Sequence, residues 1–256
     1  MMRLHPIPAF ADNYIWALIE DDRTVIVDPG DAAPVLTFLQ ECHLTLDAVL
    51  ITHHHLDHIG GIADLIALHP APVYGARADA ARLPGVTDWL DDGDRLTLLG
   101  QHFEVFAVPG HTRGHIAYYC ASAKVLLCGD TLFSAGCGRL FEGTPEQLHA
   151  SLTRLAALPD DTQVLCTHEY TLGNLAFAAA VEPENRAIED HLAQVRRWRA
   201  QGQPSLPSRI ALEKRINPFL RTAKSEVRAA AEGRHGAPLP SEVTVLAALR
   251  AWKDEF

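Results

Sequence analysis

The first two thirds of the chain alternate short apolar runs with clusters of turn residues. Six runs stand out: TVIVDPG (24–30), DAVLIT (47–52), APVYG (71–75), HFEVFAVPG (102–110), KVLLCGD (124–130) and TQVLCTHE (162–169). Each has the length of a strand and is bounded by Gly, Pro, Asp or Thr, which predicts buried strands. Between them DAAPVLTFLQECH (31–43), IADLIALHP (62–70) and TPEQLHASLTRLAAL (144–158) carry helical spacing. The last opens with Thr144, Pro145 and Gln147, the pattern of an N-cap, a proline start and a capping box. Strands mixed with helices predict an α/β class.

The character changes near Tyr170. LGNLAFAAAV (172–181), AIEDHLAQVRRWRAQG (187–202) and SEVTVLAALRAWKDEF (241–256) read as helices, and QPSLPS and INPF are proline-bearing links between them. The pattern therefore predicts two domains, 1–169 with strands and helices and 170–256 helical.

Composition narrows the class. A chain of 256 residues can bury a full core, and 48% hydrophobic with 21% charged residues is ordinary for a globular enzyme. A net charge of -10 argues against nucleic acid, whose phosphates call for basic stripes. The five cysteines form no C-x-x-C pair, and an odd number cannot all pair within the chain, so reduced thiols are expected. No apolar run reaches membrane-spanning length, which predicts a cytoplasmic chain with no membrane partner.

Against this background ITHHHLDHIGG (51–61) is exceptional, with four histidines and an aspartate between His53 and His58. Burying several neutral imidazoles needs a partner for every ring nitrogen, so a purely structural role is costly. In an extended segment side chains alternate, so His53 and His55 share one bearing and His54 takes another. Beyond Leu56 the chain is expected to turn into a helix that presents Asp57 and His58 on a second bearing. Two pairs on two bearings suggest two metal ions. H-x-H-x-D-H differs from the helical H-E-x-x-H zinc pattern, whose histidines stand four apart.

Three further strand-like runs end in a possible ligand: EVFAVPGH in His111, KVLLCGD in Asp130 and QVLCTH in His168. Strand ends converging on one edge of a sheet are how α/β proteins assemble sites. His53, His55 and His111 can serve one ion, and Asp57, His58 and His168 the other. Asp130 can bridge both, and one shared water fills the remaining position on each. The set holds no thiolate, so zinc fits, and iron or manganese fit as well.

THHHLDH, VDPG, PGHTRGH and CGDTLF resemble the motifs of the metallo-β-lactamase superfamily. LFSAGCGRLFEGT, THEYTLGNL, INPFLR and the terminal LRAWKDEF resemble, more narrowly, the glyoxalase II (hydroxyacylglutathione hydrolase) family of the bacterial type. The resemblance spans almost the whole chain. It implies an αβ/βα four-layer sandwich followed by a helical substrate-binding domain, with metal ligands at His53, His55, Asp57, His58, His111, Asp130 and His168. It also implies glutathione contacts at Arg139, Phe141, Tyr170, Arg250 and Lys253. Some relatives carry lysine and tyrosine where this chain has Arg139 and Phe141, so a phenolic hydrogen bond at position 141 is absent. The implied activity is hydrolysis of S-D-lactoylglutathione to glutathione and D-lactate in methylglyoxal detoxification, by a monomer, with a water shared by two metals as nucleophile and Asp57 and Asp130 in the catalytic set. The rivals are a glutathione persulfide dioxygenase on the same fold and a non-catalytic metal-binding module.

Other residues have plainer readings. Asp28 either orients a ligand imidazole or caps a turn. His54 and His115 read as local hydrogen-bonding residues. Cys137 reads as a small residue in a tight loop rather than a nucleophile. Arg250 and Lys253 lie three apart, on one face of the last helix, where the pair suits either a carboxylate-bearing ligand or a solvated helix end.

Overall fold

The computed structural model describes residues 2–256, which form two compact units. One runs through Ala107 and takes up Arg113–Gly129; the other comprises Val108–Thr112 and Asp130–Phe256.

The first unit is built on a six-stranded sheet in the order β1 (Arg3–Ala9), β2 (Asn13–Glu20), β3 (Arg23–Val27), β4 (Thr45–Leu50), β5 (Val73–Ala76) and β6 (Asp88–Leu90). The first three strands are joined antiparallel, and β3 to β6 run parallel. The parallel connections carry α1 (Ala32–Glu41), then α2 (Leu56–Ile59) and α3 (Ile62–Leu68). Asp31 caps α1 by accepting the Ala33 N–H. Ile7, Ile15, Ile26, Val35, Leu39, Val49 and Leu65 meet in one apolar core. A second, antiparallel run follows: β7 (Arg95–Leu98), β8 (Gln101–Ala107), β9 (Ile116–Cys120) and β10 (Val125–Gly129). Strands β9 and β10 are buried along their whole length, and β10 accordingly reads as an unbroken apolar run rather than an alternating one.

The second unit opens with a two-stranded hairpin, β11 (Leu132–Phe133) and β12 (Gly136–Cys137), whose corner Ala135 has φ 54°. It continues through α4 (Pro145–Ala156), β13 (Gln163–Cys166), α5 (Thr171–Val181), α6 (Arg186–Ala200), β14 (Ser208–Arg209), α7 (Ile210–Ile216), α8 (Ser225–His235) and α9 (Glu242–Glu255). The capping box on α4 forms as the sequence predicts, Thr144 accepting the Gln147 N–H while the Gln147 side chain accepts from Thr144 N–H. Helices α5, α6 and α7 share a core of Leu175, Ala178, Ile188, Val195 and Ile216.

All six predicted strands form, as do the six predicted helices and the helical turn expected beyond Leu56, with ends shifted by a few residues. The pattern did not anticipate β1, β2, β6, β7, β9, β11, β12, β14, α7 or α8. Among the described residues no helix is long and apolar enough to cross a membrane.

Candidate metal centre

The parallel pairing of β3 with β4 sets Val27 opposite Leu50, so Asp28 and the Ile51–Thr52 step leave the sheet side by side. The chain then stays extended to His55, whose φ of -64° and ψ of 146° make it the N-cap residue of α2. His53 and His55 therefore share a bearing. His53 Nε2 lies 3.0 Å from His55 Nδ1. Imidazole nitrogens about 2.0–2.1 Å from a tetrahedral ion stand roughly 3.3 Å apart, so the observed spacing suits one shared cation. The short helix then presents Asp57 and His58, with His58 Nε2 at 3.5 Å from Asp57 Oδ2.

Polar partners fix these rings. Asp28, 2% exposed, accepts from Thr52 N at 2.8 Å and Thr52 Oγ1 at 2.7 Å, and its Oδ2 lies 3.0 Å from His58 Nδ1. A carboxylate can only accept, so His58 Nδ1 carries the proton and Nε2 is the nitrogen that could face an ion. The Asp28 side chain thus orients the His58 imidazole rather than capping a turn. The Thr52 hydroxyl lies 3.1 Å from His53 Nδ1. Behind it, Ile116 N donates to Thr52 O at 2.9 Å, and the buried Tyr118 hydroxyl donates to Ile51 O at 2.7 Å. Burial pushes the Tyr118 phenol well above its ordinary pKa, keeping it a donor. Asn13 Nδ2 donates to Asp57 Oδ2 at 3.0 Å. Gly30 passes beneath α2 so closely that a Cβ there would lie 1.9 Å from the Asp57 carbonyl oxygen.

The two plainer histidines behave as expected. His54 Nδ1 meets the buried Asp79 at 3.0 Å, and Asp79 is also held by Arg82 at 2.5 Å. His115 stacks on His53 with centroids 4.6 Å apart and has Nδ1 3.1 Å from Ile116 O.

In the second unit two imidazoles face one carboxylate. Asp130 Oδ2 lies 3.6 Å from His111 Nε2 and 3.2 Å from His168 Nε2, and all three residues are buried. The His111 Nδ1–H donates to Arg139 O at 2.8 Å, so Nε2 is the nitrogen that could face an ion. Gly138 passes so near that a Cβ there would lie 2.0 Å from Asp130 O. The metal-ligating side chains are therefore His53, His55, Asp57 and His58 in the first unit and His111, Asp130 and His168 in the second, a set of nitrogen and oxygen donors that could hold metal ions.

The residues expected to touch glutathione have mixed surroundings. Tyr170, 41% exposed, stacks on His168 at 4.6 Å, and Phe141, 60% exposed, lies edge-on to His111 at 5.3 Å. Arg139 Nε donates to Asp254 Oδ1 at 3.0 Å. Arg250 is only 8% exposed; its Nη1 donates to Cys137 O at 2.9 Å and its Nη2 to Asp254 Oδ1 at 3.1 Å, so it is not a solvated helix end. Lys253 Nζ lies 3.4 Å from Gly173 O and 5.5 Å from the Phe177 and Phe256 ring centres. Burial, then the charge of Arg250, lowers its pKa. Burial pushes the Cys137 thiol up to about 11, against a nucleophilic role.

Sequence reasoning alone missed Asn13 and Thr52 as supports of the donor set. Thr52 is signalled by its place at the strand end, whereas Asn13 lies 44 residues from Asp57 and carries no local signal.

Residues 11–168 match the family model described as metallo-beta-lactamase superfamily, and residues 169–256 match the one described as hydroxyacylglutathione hydrolase C-terminus. A protein named hydroxyacylglutathione hydrolase from Pseudomonas savastanoi pv. phaseolicola is 54% identical over 261 residues, covering 100% of both chains. The chain belongs to the hydroxyacylglutathione hydrolase family. A family relative of the same name from Aeromonas hydrophila is 52% identical over 252 residues, covering 98% of each chain. Among solved structures, ETHE1 from Myxococcus xanthus has a TM-score of 0.65 at 27% identity, covering 99% of this chain and 98% of its own. TTHA1623, solved in a di-iron-bound form, has a TM-score of 0.63 at 28% identity, covering 84% of this chain and 100% of its own. The expected metallo-β-lactamase fold with a C-terminal helical domain is thus borne out.

Proposed function

We propose that this chain hydrolyses S-(2-hydroxyacyl)glutathione thioesters, with S-D-lactoylglutathione as the typical substrate, releasing glutathione and a 2-hydroxy acid in methylglyoxal detoxification. The carrying observation is full-length similarity, at 54% identity, to a relative named for this activity, in a chain with a His/Asp donor set suited to metal. On this reading His53, His55 and His111 hold one divalent ion, Asp57, His58 and His168 hold a second, and Asp130 bridges them. The donors are nitrogen and oxygen only, which suits zinc, iron or manganese. Zinc is our assignment, and the di-iron form of TTHA1623 keeps iron as the direct competitor.

Such a pair, when bound, lowers the pKa of a coordinated water and polarises a carbonyl. The chain's own residues supply the rest. Asp28 and the Arg139 carbonyl fix the proton positions of His58 and His111, so the ligand nitrogens need no rearrangement. Asn13 steadies Asp57 by donating to its carboxylate. A leaving thiolate has a pKa near about 8.5, so no dedicated proton donor is demanded of the protein. Residues 1–169 form the catalytic domain and residues 170–256 the substrate domain. In the latter Tyr170, Arg250 and Lys253 join Arg139 and Phe141 around the glutathione moiety, with the Phe141 ring contributing apolar contact only. We assign the protein to the cytoplasm, acting as a monomer.

The test is loss of thioester absorbance from S-D-lactoylglutathione, with metal content measured on the same sample. Turnover abolished by a chelator and restored by zinc, iron or manganese is the expected result. A protein loaded with two ions that leaves the thioester intact, yet consumes oxygen with glutathione persulfide, would move the site to the dioxygenase reading.

A further inference from the structure

The segment Cys137–Phe141 wraps His111. A Cβ on Gly138 would lie 3.0 Å from the His111 Cβ, so this backbone runs directly against that residue. The Arg139 carbonyl accepts the His111 Nδ1–H at 2.8 Å, and Phe141 N donates to His111 O at 3.2 Å. The hairpin that leads into the segment ends at Cys137, so its ladder does not reach Arg139. Helix α9 grips the segment instead. Arg250 Nη1 donates to Cys137 O at 2.9 Å, and Arg139 Nε donates to Asp254 Oδ1 at 3.0 Å. Arg250 Nη2 donates to that same Asp254 oxygen at 3.1 Å. Arg250 and Asp254 are four apart on the helix and so act from one face.

The geometry points to Asp254 as a positioning residue for His111: one carboxylate oxygen ties Arg139 and Arg250 together, and through them α9 holds the backbone whose Arg139 carbonyl sets the His111 ring and tautomer. The inference rests on the proposed reading of His111 as a metal ligand. Its contrary is that Asp254 is an exposed surface partner, a class of ion pair that has little effect by itself. A surface pair predicts no selectivity between two ions. A positioning role predicts that the ion held by His111 feels the change and the other does not.

The experiment uses the full-length chain loaded with zinc, with the affinity of each ion measured by competition against a chromophoric chelator. Solvent exchange of the His111 Nδ1 proton is followed by NMR on the same samples. Asp254→Ala is expected to weaken one ion about three- to tenfold, leave the other unchanged and speed the exchange. Asp254→Glu should recover part of both effects, and Asp254→Ala combined with Arg139→Ala should weaken the ion by less than the product of the single effects. Unchanged affinities with unchanged proton exchange would overturn the inference, as would equal weakening of both ions alongside a lowered denaturation midpoint. A wild-type chain that fails to bind two ions would instead overturn the reading of the metal centre itself, and the positioning role with it.

Discussion

Asp28 occupies the left-handed region at φ 52°, which aspartate and asparagine tolerate better than other non-glycine residues, and it gathers three donors from Thr52 and His58. Asparagine tolerates that backbone but places an amide N–H₂ or a weaker acceptor against the His58 Nδ1–H. Asp28→Asn should therefore lower metal affinity about 10–100-fold, read by chelator competition. Cysteine reactivity offers a second test at this scale. Cys42 is exposed, whereas Cys120, Cys128, Cys137 and Cys166 are buried, and the Cys137 thiol is pushed up to about 11. One fast-reacting thiol in the native chain, with the rest reacting only after denaturation, is the outcome expected from titration with a thiol reagent.

At the scale of elements, local and distant information divide unevenly. The α4 capping box is written in adjacent letters, and Thr144→Ala should cost about 0.5–2 kcal/mol in urea unfolding. Strand β1 is less legible because Pro6 and Pro8 interrupt it. Both prolines are tolerated because β1 lies at the edge of its sheet, where a missing N–H leaves no central ladder unpaired. The β11–β12 hairpin is held from farther off. Glu213 on α7 accepts from Ala135 N at 2.7 Å and from Ser208 Oγ, and Asn217 donates to Phe133 O at 3.2 Å and Gly136 O at 2.9 Å. Burial is the largest influence on Glu213 and raises its pKa above 4.5, despite the opposing hydrogen bonds. A raised folded pKa means that the folded state binds the proton longer. The stabilisation is then present below about 4.5 and is lost as pH rises through the folded value. Glu213→Gln should therefore show its largest penalty at low pH and a smaller one as pH climbs, in denaturant midpoints measured side by side.

For the molecule as a whole, the proposed binding of two ions to the folded chain would link metal to stability. Each ion at a hundredfold excess over its Kd should contribute about 2.7 kcal/mol, so chelation should lower the thermal midpoint and added metal should restore it. The sequence by itself determined the donor types and much of their grouping. His53 and His55 alternate on an extended stretch, Asp57 and His58 follow on a helical turn, and His111, Asp130 and His168 each follow a buried apolar run. These features depend on neighbours within a few residues, where the geometry of strand and helix fixes bearing. It also determined the capped helices and, through family resemblance, the fold. Tertiary structure alone decided which side chains steady those donors. Asn13 reaches Asp57 across 44 positions, Tyr118 reaches the Ile51 carbonyl across 67, and Arg250 reaches the Cys137 carbonyl across 113. No periodicity records such pairings, because they come into being only when strand register and helix packing close the chain on itself, and the unpaired buried groups they satisfy exist only in the folded state.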